Sequence, residues 1–154
     1  MHRNELELLE NEFDLAEMPT VPGVRFRGFR GKSDFPHMVA VINGSRETDQ
    51  GDWVANVEET ATDYDHLTNC DPYTNMIFAE VNGKVVGYGR CWWNDRVDKT
   101  IAYYFFANLL PQWRKTGIRL AMIRFLKHRL RQIAVDHPAE RKKFYVNWGM
   151  ETET

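Results

Sequence analysis

Between residues 100 and 148 the chain changes periodicity twice, and few folds accept that order. Residues 100–110 form a long run of aromatic and aliphatic side chains, the pattern of a strand buried on both faces. A loop containing Pro111, Arg114, Lys115 and Gly117 follows. Residues 117–135 then repeat apolar side chains at helical spacing, with Ile118, Met122, Ile123, Phe125, Leu126, Leu130 and Ile133 facing inward and Arg124, Lys127, His128 and Arg131 facing water. Residues 136–143 read as a loop and 144–148 as a final strand. A helix between two strands in this order is a crossover, and crossovers join parallel strands.

The preceding strands pair differently. Residues 76–81 and 84–93 are β-rich and flank Asn82-Gly83, a strong short hairpin signal. Residues 94–98 make the next turn. Antiparallel strands therefore feed a parallel one, and the sheet is expected to be mixed, in an α/β chain of the α+β type. Upstream, residues 24–30 alternate Val24 and Phe26 with Arg25, Arg27 and Arg30, as a half-buried strand does. Ser33 or Asp34 caps the next helix, with Pro36 in its first turn and Met38, Val39, Val41 and Ile42 on its body. Residues 56–67 form a second helix. Residues 4–13 suggest a short acidic helix with Leu6, Leu9 and Phe13 on one side, or a tail. The expected division is residues 1–22 as an acidic tail or short helix and 23–154 as one domain.

Composition bounds function without choosing one. The chain is 43% hydrophobic with a net charge of -2, enough for a core and no general attraction to polyanions. The charge is uneven. Residues 1–20 hold six acidic side chains against one arginine, and residues 114–143 hold ten basic against two acidic. Cys70 and Cys91 have neither metal-ligand spacing nor a disulfide framework, and suit a cytoplasmic protein with reduced thiols. No apolar run reaches the roughly 20 residues that span a bilayer.

The chemistry concentrates at the strand-to-helix junction. A helix N-terminus offers unpaired N–H groups and partial positive charge, and glycine lets an anion approach the backbone. Arg114, Lys115 and Arg119 add formal charge where the helix dipole would rather have none. That conflict points to an anionic ligand, most simply a phosphate.

Leu109-x-Pro111-x-x-Arg114-x-x-Gly117-x-Arg119, after a strand and before Leu120-Ala121-Met122, resembles the acetyl-CoA loop of the GNAT N-acetyltransferase superfamily. The element order over residues 24–148 and the strand Val85-Val86-Gly87-Tyr88-Gly89 are similar too. The runs Phe125–Arg131 and His137–Arg141 look like the first half of tandem-domain members. The resemblance implies a GNAT-like acyl-CoA N-acyltransferase fold and acetyl-CoA as co-substrate. It implies that Ala107, Asn108 and Leu109 hold the pantetheine arm and acetyl carbonyl. The pyrophosphate would lie on Arg114, Lys115, Thr116, Gly117, Ile118, Arg119 and Leu120. A small-molecule or peptide amine would attack directly, from above the first two helices and the hairpin.

The sequence departs from that pattern in three ways. Arg119 stands where the family has Gly or Ala, so its side chain either crowds the pyrophosphate or binds it. The family continues beyond the fifth strand with a helix and two strands. Residues 23–154 thus resemble a partial domain, whose edge at residues 144–148 is open to a second GNAT-like domain or another copy. The central strand Tyr103-Tyr104-Phe105-Phe106 carries no carboxylate, leaving Glu80, Tyr103 and Tyr104 as weak catalytic candidates. A degenerate, non-catalytic interaction domain is the alternative. Nucleic-acid binding through the basic helix ranks last, because the helix's aromatics lie on its apolar side.

Overall fold

A computed structural model describes residues 12–13 and 19–148. Six strands form one sheet whose spatial order follows the chain order. They are β1 (Glu12–Phe13), β2 (Val24–Arg27), β3 (Met76–Val81), β4 (Lys84–Asp95), β5 (Ile101–Leu109) and β6 (Lys143–Asn147). Neighbours run antiparallel except β5 and β6, which are parallel. The helices are α1 (Phe35–Ser45), α2 (Val57–Tyr64), the single turn α3 (Pro72–Asn75) and the crossover α4 (Ile118–Val135). Asn82 and Gly83 turn the β3–β4 hairpin with φ of 52° and 82°, the left-handed pair that a type I′ turn requires.

Alternation along the strands creates two cores, one on each face of the sheet. On one face Met76, Phe78, Val85 and Tyr88 pack with Met38 and Val41 of α1. On the other, Ile77, Ala79, Ile101, Tyr103 and Phe105 pack with Ile118, Met122, Leu126 and Leu130 of α4. Full burial of such aliphatic side chains contributes about 1.5–3 kcal/mol each. The mixed sheet and the crossover agree with the sequence reading.

Several local expectations are corrected. Within residues 4–13, Glu12–Phe13 is a strand paired with Phe26 and Arg27 instead of helix; the rest of that segment lies outside the described residues. Strand β2 stops at Arg27, and its in–out alternation fails there because Arg27 is buried. Its guanidinium meets Asp34 through two bonds of 2.7 and 3.0 Å and also pairs with Glu80. Asp34 therefore occupies the N-cap position of α1 without capping it, since its carboxylate serves Arg27 and the Arg30 N–H. Helix α2 is shorter than expected, starting after Asn56, whose Oδ1 accepts from the Glu59 N–H at 2.8 Å. Lys127 is half-buried rather than solvated, with Nζ 5.6 Å from the Phe105 ring centre. Among the described residues no helix is long and apolar enough to cross a membrane.

Candidate functional site

Strand β6 ends before β5 does. Their register runs from Ile101↔Lys143 to Phe105↔Asn147, and the Trp148 N–H donates to Phe105 C=O at 2.8 Å. Beyond that point, among the described residues, no strand lies beside the β6-facing edge of β5. Strand geometry aims alternate residues at alternate edges. Ile101 and Phe105 bond toward β6, while the Leu110 N–H bonds toward β4 at Val86. The backbone groups of Ala107 and Leu109 therefore face the opened edge.

Two arginines reach that edge. Arg119 Nε donates to Ala107 C=O at 2.9 Å, and Arg114 Nε donates to Leu109 C=O at 3.1 Å. The rest of the Arg114 guanidinium forks onto Asp49, at 2.7 and 2.9 Å. Of the expected cofactor-binding residues, Arg114 and Arg119 thus meet Leu109 and Ala107, their side chains folded back against the strand. Between them the chain makes a 3-10 turn over Pro111–Trp113, then passes through Lys115 (φ 64°) and Gly117 (φ 91°). Gly117 caps α4 in a left-handed conformation that favours glycine. The first turn of α4 contains no acidic residue, so nothing of its own neutralises the N-terminal dipole. An exposed Lys115 and Gly117 lead from solvent to that turn, which leads to the bare edge of β5. This geometry fits a phosphate followed by a narrow amide-bearing arm. Arg119 is the side chain such an arm would displace.

The edge opens toward a cleft of about 420 Å³ on the α1 face of the sheet. Tyr88 and Arg90 of β4, Phe106 and Asn108 of β5, Tyr64 and Asp63 of α2, and Trp148 are among its walls. Burial pushes the Tyr64 phenol well above its usual range and keeps it protonated. Asp49 also lines the cleft, held by Arg114.

The three weak catalytic candidates separate. Glu80 is ion-paired with Arg27 and stands 3.9 Å from Arg30, so its carboxylate is occupied. Tyr103 belongs to the α4-side core, and its hydroxyl shares a 2.6 Å hydrogen bond with His137 Nδ1. His137, in the loop before β6, is thereby tied to the core face, and its ring also meets Trp93 at 4.4 Å. Tyr104 lies on the cleft side, stacked on Trp92 at 5.3 Å and edge-on to Trp148. Sequence reasoning passed over Arg90. Its signal was a charge at an inward position of a buried strand, in phase with Tyr88 and Trp92.

The family model described as acetyltransferase (GNAT) matches residues 42–140. No curated protein matches the chain. Among solved structures, a GCN5-related N-acetyltransferase from Sphaerobacter thermophilus is similar at TM-score 0.67 and 18% identity, covering 80% of this chain and 36% of that one. An aminoglycoside acetyltransferase from an uncultured soil metagenomic sample, in complex with trehalose, is similar at TM-score 0.59 and 10% identity, covering 85% and 80%. The yncA protein of Salmonella typhimurium, solved with its cofactor acetyl-CoA, is similar at TM-score 0.55 and 16% identity, covering 71% and 64%. At these identities the likeness is one of fold. The chain spans about a third of the Sphaerobacter protein's length.

Proposed function

Because this chain belongs to the acetyltransferase (GNAT) family, we propose that it binds acetyl-CoA at the junction of β5 and α4 and transfers the acetyl group to an amine held in the adjoining cleft. One observation carries the reading: β5 outruns β6, so among the described residues a strand edge is left unpaired between a phosphate-ready helix start and a cleft. Bound acetyl-CoA supplies an activated thioester. The backbone of Lys115 to Leu120 receives the pyrophosphate on the first-turn amides. The N–H groups of Ala107 and Leu109 bond the arm, and an N–H at this edge polarises the acetyl carbonyl as an oxyanion donor. Asn108 faces the cleft beside that edge and orients the amine.

The amine must arrive without its proton. Asp63 lines the cleft at its rim and, among the described residues, shows no ion pair; it takes that proton directly or through water. Tyr64, kept protonated by burial, is no base for the amine. Tyr104 stacks on Trp92 and packs edge-on against Trp148 of the cleft wall.

The domain is taken as residues 23–154, with 1–22 preceding it. The outer edge of β6 is where a second GNAT-like domain or a second copy would pair. The two free thiols suit a cytoplasmic setting.

Calorimetric titration with acetyl-CoA at moderate salt tests the reading, and detectable one-to-one binding is expected. Absence of binding sinks it. A non-catalytic domain is the second reading, favoured by the Arg119 contact that already occupies Ala107 C=O. Binding of acetyl-CoA without thiol release, across a broad panel of amines, would select it.

A further inference from the structure

Buried arginines in this chain usually carry their own counter-charge. Arg27 has Asp34 and Glu80, and Arg114 has Asp49. Arg90 breaks the pattern. It projects from β4 onto the cleft wall, where its guanidinium stands over three rings: Tyr64 at 5.0 Å, Trp92 at 4.9 Å and Phe106 at 5.5 Å. Those faces attract a cation but cannot accept its directed N–H bonds as a carboxylate does. Among the described residues its Nε is sealed from solvent with no hydrogen-bond partner. Asp63 sits at the exposed rim and makes no ion pair with Arg90, and Asp49 is spent on Arg114. The other basic residue of the cleft, Arg46, is exposed at its mouth. The cleft floor is therefore positive, aromatic and short of an acceptor.

We propose that Arg90 recognises a carboxylate on the acceptor, so that the acetylated amine belongs to an amino acid or a similar amino-carboxylate with an apolar body. Arg90 lines the cleft while its Nε is sealed, so its two Nη groups form the fork it presents, and a carboxylate is the planar group that fits them end-on. Trp53, Trp148 and Phe106 line the same cleft and would receive the apolar body. The inference rests on reading this cleft as the acceptor's site, but its test does not require turnover.

Calorimetry without acetyl-CoA compares two probes, N-acetylphenylalanine and N-acetylphenylalaninamide, which share shape and differ in charge. The acid should bind about tenfold tighter or better, the scale of a charge-assisted pair. Arg90→Met should erase that preference, and Arg90→Lys should retain part of it, which guards against a loss caused by misfolding. Equal binding of acid and amide, binding of neither, or a preference that survives Arg90→Met overturns the proposal. In a parallel assay of thiol release, phenylalanine should outperform phenylalaninamide in kcat/KM by a similar factor. A wild-type chain that fails to bind acetyl-CoA while keeping the acid–amide preference would sink the transferase reading and leave the carboxylate site standing.

Discussion

Arg119 is bonded to the very carbonyl that an incoming arm would approach. Replacing it with Gly removes a hydrogen bond that binding must break, and a side chain that binding must move. Since one such bond is worth about 1 kcal/mol, Arg119→Gly should tighten acetyl-CoA about fivefold by calorimetry. Weaker binding instead would mean that the guanidinium swings outward onto phosphate. Cys91 offers a pH test. It is fully buried, and burial pushes its thiol up to about 12 from an ordinary 9. Between those values the unfolded thiol releases its proton while the folded one keeps it. The native state then binds more protons, and stability must fall as pH rises, by up to about 1.4 kcal/mol per pH unit from this group. Below pH 9 the contribution is fully present. Cys91→Ala lacks the titration, so its deficit against wild type in urea unfolding should shrink from pH 9 upward. A deficit that stays level from pH 8 to 10.5 would contradict the assignment.

Strand β5 has two edges of different character along its last residues. Asn108 pairs with Tyr88 of β4, whereas the N–H groups of Ala107 and Leu109 face the opening beyond β6. Hydrogen exchange should find Asn108 protected throughout. The Ala107 and Leu109 amides should exchange quickly in the free protein and slow on addition of acetyl-CoA. No change at these two amides, with binding otherwise detected, would place the arm elsewhere. Strand β4 meets α4 closely at Gly89. A Cβ there would stand 2.5 Å from Phe106 O and 2.9 Å from Leu126 Cδ1. The leucine can turn aside, but the carbonyl belongs to the sheet. Gly89→Ala should cost about 1–3 kcal/mol in urea unfolding, as overpacked positions do.

The architecture was legible where one physical signal dominated. Asn82-Gly83 marked the hairpin because few pairs tolerate two positive φ values, and the apolar stripe of α4 marked the crossover. The loop at Arg114 to Gly117 was legible from its glycine and charge. What stayed hidden was pairing at a distance. Nothing local in Arg27 or Asp34 says that they meet, and their meeting cancelled both an expected strand alternation and an expected helix cap. His137 and Tyr103 lie far apart in sequence, so nothing local in either announces their bond. The cleft was equally hidden, because Tyr64, Arg90 and Trp148 come from three elements. The sequential sheet order bears on how the molecule assembles. Strands β3, β4 and β5 are joined by tight turns, so their pairing closes short loops and can come early. Strand β2 must return across α1, α2 and α3 to reach β3, and β6 must wait for α4 to reach β5. Folding is then expected to spread outward from a central meander, with both flanks closing long loops late, and the edge proposed to receive acetyl-CoA would be among the last features to take shape.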